Sequence, residues 1–422
     1  MQTGCTKISD MNPILSTTLD IQKIRSEFPV LHQKINGKPL IYLDNAATNQ
    51  KPSRVIKALT NYYEGYNANI HRGIHTLAER ATKAFEETRE QARAFINASH
   101  TQEIIFTRGV TESINLVAAT YGDAFLKAGD EIILSALEHH SNIVPWQIIA
   151  QKKGVQIKVI PVTHSGELDM EVFRELLSSK TKIVAVNHAS NSLGTINPIS
   201  EIIRLAHEVG AVVLIDGAQA AAHLPIDVQS LDCDFYCISS HKMYGPTGVG
   251  ILYGKRALLE KMPPYMGGGE MIKEVSFNGT TYNDLPYKFE AGTPNIADVI
   301  AFKYAFEFIA EIGKESIAAY ENDLLQYCAS QLKSTTKVKL VGTAPQKVSV
   351  QSFLIEGIDH FDIGQMLDAR GIAVRTGHHC TQPLMDHFGI EGTVRASFSV
   401  YNTKSEIDEL IEGVQRIVSF LG

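Results

Sequence analysis

"AVVLIDGAQAAAHLPIDVQSLDCDFYCISSHKMYGPTG", residues 211–248, decides how this chain is built. Two short apolar runs, 211–216 and 235–239, read as buried strands. The first ends in Asp216. The second runs into Ser239, His241 and Lys242 before the chain turns through Gly245, Pro246 and Gly248. A carboxylate at a buried strand end costs desolvation energy unless something pairs with it. Lysine is rarely buried without a partner. Taken singly, Asp216 reads equally as the cap of a turn, and Lys242 as part of a solvated turn. Taken together on successive strand ends of one sheet, the two can face a common cleft.

Working outward, short β-branched runs recur at 40–44, 103–107, 131–135, 156–162, 182–186 and 249–253. Helical patterns such as "TLAERATKAFEETREQARAFINA" (76–98) and "SEIIRLAHEVG" (200–210) lie between most of them. This alternation predicts an α/β fold with a mostly parallel sheet covered by helices on both faces. Residues 262–295 are rich in Gly, Pro and Tyr and read as long loops. Beyond them come two helices over 295–333 and strands at 337–342, 347–355, 372–375 and 393–400. Further helices follow near 360–370 and 404–420. Ile407, Leu410, Ile411, Val414, Ile417, Val418 and Leu421 form an apolar stripe on the last of these. The expected division is a flexible leader at 1–18, a helix within 19–35 that packs on the smaller domain, a large domain over 36–295, and a smaller C-terminal α+β domain over 296–422.

The 422 residues are 44% hydrophobic and 20% charged, with a net charge of −7. That composition fits a soluble globular protein. No cluster of excess Lys and Arg points to nucleic acid, and no apolar run is long enough to span a membrane. The N-terminus lacks the apolar core of a secretory signal. Five scattered cysteines argue against a disulfide framework and for a reducing, cytoplasmic setting. Cys233 and Cys237 are spaced as a metal pair could be, but on a strand they would share one face with Phe235, and core packing accounts for them.

A lysine and a partnering acid are what pyridoxal phosphate requires: the amine bonds its aldehyde, and the acid faces its ring nitrogen. The cofactor's phosphate could be met by "EIIFTRGVTESINLVAA" (103–119), a strand, Gly turn and helix with Thr111 as a plausible N-cap. Ser239 and His241 offer further donors. His139 in "LEHHSNIVPW" and Asn191 in "HASNSLGT" also follow strands, where either could simply cap or turn the chain. In "IAVRTGHHCTQPL", Arg375, His378, His379 and Cys380 make a poor tetrahedral metal site but a good setting for a reactive thiol. Arg395, within the strand "TVRASFSV", suits bidentate capture of a carboxylate, with a surface ion pair as the plain alternative.

These motifs occur in order with "YLDNAAT", "NIHRGIHTLAERAT", "FEAGTPN", "RTGHHCTQPLM" and "RASFSVYNT". From about residue 20 to the C-terminus the chain resembles cysteine desulfurases of the SufS type (group II), close to the selenocysteine lyases. These belong to the class V aminotransferase group on the fold-type I scaffold. The resemblance implies a seven-stranded sheet in the large domain and pyridoxal 5'-phosphate as cofactor. It also implies conversion of L-cysteine to L-alanine with a persulfide on Cys380, passed to a SufE- or SufU-type acceptor for iron–sulfur cluster assembly. L-selenocysteine is the alternative substrate. Lys242 matches the cofactor-bonding lysine, Asp216 the partner of the ring nitrogen, Gln219 the contact to the phenolic oxygen, and His139 the stacked residue. Thr111, Ser239 and His241 match phosphate ligands. Thr293 matches a phosphate contact that crosses from a second subunit, which implies a homodimer. Asn191, Arg375 and Arg395 match substrate contacts. His71 and Arg72 match a loop at the active site. Val110 stands where some relatives carry a hydroxyl, leaving a backbone amide for the phosphate. The short interval from Arg375 to Arg395 has no room for a long mobile cysteine loop. Two other readings stay open: an aminotransferase-like relative that does not use Cys380, and a scaffold binding metal through the His-His-Cys cluster.

Overall fold

The computed structural model describes residues 19–421, so the leader expected at 1–18 lies outside the described residues. Seven strands form the main sheet. In spatial order they are Ile104–Thr107, Gly250–Gly254, Phe235–Ser239, Val212–Asp216, Thr181–Asn187, Glu131–Ser135 and Gln156–Ile160. Gly250–Gly254 runs antiparallel to both neighbours, and every other pairing is parallel. Side chains alternate across the sheet. Ile133, Val184, Ile215 and Ile238 enter one apolar layer, and Leu134, Ala185, Leu214 and Cys237 the other. A strand buried on both faces must be apolar at nearly every position, which is why these runs stood out in the sequence.

The two cysteines do not share a face as expected. Phe235 and Cys237 pack in one layer and Cys233 in the other. The strand begins only at Phe235, after Asp232 adopts a left-handed conformation (φ 55°), so the two-residue period does not reach back to Cys233.

The helix Thr76–Phe95 buries Ala78, Ala81, Phe85 and Ala92, a three-to-four-residue stripe. Ile296–Ile312 packs on it and on Ser53–Gly65. Arg89, on the same stripe, is fully buried. It forks onto Glu86 and Glu290, donates to the Ile104 carbonyl at 2.9 Å, and lies over the Phe106 ring at 4.6 Å. Breaking a buried pair strands the remaining charge. We expect Arg89→Ala to destabilise the fold by about 3–5 kcal/mol, read as a lowered urea midpoint; a loss under about 1 kcal/mol would mean that Glu290 finds water.

A second, antiparallel sheet has the order Val338–Val341, Val350–Ile355, Thr393–Ser397, Arg375–Gly377. Lys314–Lys333, His360–Asp368 and Lys404–Leu421 pack with it around a separate apolar cluster. The N-terminal helix Ile21–Ser26 leads to Phe28, whose ring meets those of Tyr244, Phe308 and Tyr401. Arg25 pairs with Glu406 at 2.7 Å.

Three expectations change. The run at 40–44 is not a strand of the main sheet. Ile41–Tyr42 pairs in parallel with Ile372–Ala373, and Leu43 packs in the cluster of the smaller sheet. The run at 372–375 is divided between that pairing and the edge strand Arg375–Gly377. Within 262–295, Ile272–Ser276 and Gly279–Tyr282 form a hairpin. Its side chains are mostly exposed, so it carries no alternation from which a strand could be read.

Candidate active site

The strands running parallel all end at one edge of the main sheet, where ligands bind in folds of this kind. A cavity of about 250 Å3 lies there. Thr111, His139, Asn191, Asp216, Gln219, Ser239, His241 and Lys242 line it from the main sheet. Arg375, Cys380 and Arg395 line it from the smaller one. His71 and Thr293 are not among the lining residues. His71 bonds Glu86 at 2.9 Å and packs on Tyr287, Arg72 pairs with Glu270 at 3.0 Å, and Thr293 is exposed.

Lys242 ends a single turn, Ser240–Lys242, directly after the strand Phe235–Ser239. The turn closes through Gly245, where a Cβ would stand 2.1 Å from the Ser240 hydroxyl. Burial pushes the Lys242 amine down to about 8, with the Asp216 charge opposing and Arg395 adding to the shift. About one amine in ten is then neutral at pH 7, against fewer than about one in a thousand for an ordinary lysine. Asp216 ends the adjacent strand and accepts from the Ala218 amide at 2.9 Å. Burial raises its carboxyl above the ordinary range, while that amide and Lys242 act in the opposite sense.

His139 is held neutral: burial, then the Lys242 charge, push it down to about 3. Its Nδ1 accepts from the Ser141 amide at 3.1 Å, which assigns the proton to Nε2. Thr111 is not an N-cap. The helix Val110–Val117 starts earlier, with Gly109 (φ 149°) in that position, and Thr111 lies in the first turn. Nor does the Val110 amide remain free, because it donates to Ser239 Oγ at 2.9 Å. With its oxygen so engaged, Ser239 keeps its own proton to donate. His241 Nδ1 meets the Thr48 hydroxyl at 3.2 Å. Its carbonyl accepts from Asn49 N, Thr48 Oγ1 and Lys51 Nζ, each at 3.0 Å. Gln219 gives one amide hydrogen to Ala46 O at 2.7 Å and retains a second.

Cys380 is fixed from both sides. His379 and Cys380 are both left-handed, with φ 52° and 58°, a conformation that persists only where surrounding contacts hold it. The His140 amide donates to Cys380 O at 2.9 Å, and Cys380 N donates to His378 Nδ1 at 3.0 Å. Asn191 Nδ2 donates to His379 O at 2.7 Å, and His379 Nε2 meets Thr393 Oγ1 at 2.8 Å. Among the described residues, no group of three or more His, Cys, Asp and Glu side chains converges as a metal site.

Residues 41–410 match the family described as aminotransferase class-V. The chain belongs to the class-V aminotransferase family. It is 50% identical over 398 residues to a cysteine desulfurase of Synechococcus elongatus, covering 94% of this chain and 64% of that longer protein. It is 50% identical over 407 residues to a cysteine desulfurase of Escherichia coli, covering 96% of this chain and all of that one. Among solved structures, the Escherichia coli cysteine desulfurase CsdA superposes with a TM-score of 0.89 at 40% identity, covering 96% of this chain and all of that one.

The cavity's donor set fits pyridoxal 5'-phosphate. A buried amine with a lowered pKa, a buried carboxylate two strand ends from a neutral imidazole, and the hydroxyls of Ser239 and Thr111 stand at one sheet edge. Two residues escaped the sequence reading. Glu138 is fully buried and accepts from the Ser135 hydroxyl, Asn142 Nδ2 at 2.7 Å, and the amide and side chain of Asn187 at 3.0 Å each. Burial pushes it up to about 7. It ties the turn bearing His139 to Asn187, which lies opposite Asp216 in the sheet. The signal available was an acidic residue three positions past the end of the buried strand Glu131–Ser135. Asp44, the second, contacts Arg395 at 2.9 Å; nothing in the sequence pairs the two.

Proposed function

We propose that this protein is a pyridoxal-phosphate-dependent cysteine desulfurase of the SufS type. The observation that carries the reading is that Lys242, Asp216 and Cys380 line one cavity with Arg395. A lysine and a carboxylate alone would serve many reactions on this fold; a thiol fixed opposite them serves sulfur transfer. The bound cofactor supplies the electron sink that makes the substrate's Cα–H acidic and its Cβ–S bond cleavable. Asp216 keeps a positive charge at the ring nitrogen, and its buried site strengthens that interaction. With cofactor and substrate bound, Lys242 would be the base that takes the Cα proton and returns it. Arg395, Asn191 and Arg375 orient the substrate carboxylate. The Cys380 thiolate attacks the substrate sulfur: an S–S bond forms, the Cβ–S bond breaks, and its electron pair stays on carbon to be protonated. L-cysteine and the Cys380 thiol thus become L-alanine and a Cys380 persulfide. A protein acceptor of the SufE or SufU type then takes the sulfur for iron–sulfur cluster assembly. The four described cysteines are free thiols, which supports a reducing, cytoplasmic setting.

Equal yields of alanine and sulfide from L-cysteine, in the presence of a thiol reductant, test the reading; alanine without sulfide, or keto acid instead of alanine, would refute it. L-selenocysteine is the second reading on the same residues, and the ratio of the two kcat/KM values decides between them.

A homodimer completes the proposal. Thr293 is exposed and does not line its own cavity, and the hairpin over 272–282 also turns Val275 and Phe277 outward. That placement supports a phosphate contact made to a second subunit. We expect sedimentation at micromolar concentration to show a dimer and Thr293→Ala to weaken cofactor retention about tenfold. A monomer with full cofactor affinity would refute the shared site.

A further inference from the structure

The Arg395 guanidinium is fully buried and lines the cavity. Its Nη1 donates to Asn191 O and its Nη2 to Asp44 Oδ1, each at 2.9 Å, while its Nε has no partner. The two bonds to Asn191 and Asp44 fix the plane of the guanidinium, and the buried Nε is left unsatisfied, a cost the fold carries at this site. Asp44 is carried there by its backbone. Leu43 N donates to Ala373 O at 2.9 Å, Ser397 N donates to Leu43 O at 2.7 Å, and Asp44 is bridged to Ser397, two residues from Arg395. Arg375 stands opposite Arg395 in the register of the smaller sheet. Arg375 and Arg395 both line the cavity, and Asp44 pairs with Arg395 from behind that lining.

We propose that Asp44 is a positioning residue that sets how tightly carboxylate ligands are held. It keeps the Arg395 guanidinium oriented, and its own charge opposes the carboxylate of a ligand that docks beside it. The proposal rests on the reading of Arg395 as the substrate-carboxylate contact. Two like charges sharing one cation repel, and at a partly exposed position the effect is modest. Its consequence falls on the product. L-alanine carries the same carboxylate as L-cysteine, and a site with Arg395 uncompensated would release it slowly.

The test uses the holoenzyme dimer loaded with pyridoxal phosphate, titrated with L-alanine and with L-alaninol, which lacks the carboxylate, and followed by the cofactor's absorbance. Asp44→Asn keeps an oxygen for Nη2 and removes the charge. L-alanine is expected to bind on the order of fivefold more tightly to the variant, with L-alaninol unchanged. The KM for L-cysteine falls in parallel without a rise in kcat. Taking the alanine-to-alaninol ratio within each protein cancels any general loss of fold or cofactor. A residue that merely propped Arg395 would give weaker alanine binding in the variant, and an unchanged or lowered ratio overturns the proposal. Wild-type protein that binds L-alanine but releases no sulfur from L-cysteine would sink the desulfurase reading and leave this one standing.

Discussion

Lys242→Ala is expected to lose desulfuration by at least about three orders of magnitude while keeping its fold. The argument starts from burial. The amine stands at the end of a strand in a cavity that pushes its pKa down to about 8, so near neutrality a useful fraction is unprotonated and nucleophilic. On the proposed mechanism the same amine would also be the base that takes the substrate's Cα proton. Alanine removes the tether and the base together, and the two losses fall on one residue. The sign of the pH dependence follows: capture of pyridoxal phosphate by cofactor-free wild type should quicken as pH rises towards 8 and level off above it. Borohydride treatment followed by peptide mass spectrometry should place the cofactor on Lys242. The nearest competitor is Lys51, whose amine burial pushes to about 7. Its Nζ, however, is committed to the Thr48 hydroxyl at 3.3 Å and the His241 carbonyl at 3.0 Å. A label on Lys51 would sink the assignment.

Cys380→Ser is expected to separate the two halves of the reaction. The variant keeps Lys242, Asp216 and Arg395, so it should load the cofactor, turn yellow, and change its spectrum when L-cysteine is added. It should form almost no alanine, a loss of about three orders of magnitude or more, because a hydroxyl is a poor nucleophile towards sulfur at neutral pH. Trapping wild type after one turnover should show one added sulfur atom on the Cys380 peptide. Cys233, Cys237 and Cys328 are buried, with their thiols pushed upward by burial, so none is poised to substitute. Full activity in the serine variant, or added sulfur on one of those three, would contradict the mechanism.

Asp216 and Lys242 were legible because a doubly buried parallel strand has to be apolar along its length, and polar residues at or just past its end fall at the ligand-binding edge. The face of Cys233 was not legible, since it turns on where a strand begins, and the left-handed Asp232 that delays it leaves no mark in the apolar pattern. Asp44 was hidden for another reason. "IYLD" has the composition of a main-sheet strand, and only tertiary pairing with Ile372–Ala373 carries it to Arg395. Glu138 was visible as an acid but not as a buried one, because its four donors come from segments up to 49 residues away. The roles of Thr293, as a contact from a second subunit, and of His71, in a loop at the active site, entered through resemblance alone.

The two left-handed residues at His379 and Cys380 bear on traffic through the cavity mouth. Their carbonyls are bonded to Asn191 and His140, on segments that follow strands of the main sheet, so the loop is bolted to a rigid wall rather than hung from its own sheet. Sγ is left with rotation about one side-chain bond as its range of travel. On the proposed mechanism sulfur on Cys380 is not ferried outward, and a recipient brings its own thiol to it beside His140 and His378, whose rings stand 5.7 Å apart and which both bond the Cys380 backbone. On that mechanism a small reductant and a folded protein would compete for the sulfur on shape, not on how long they wait for a loop to swing.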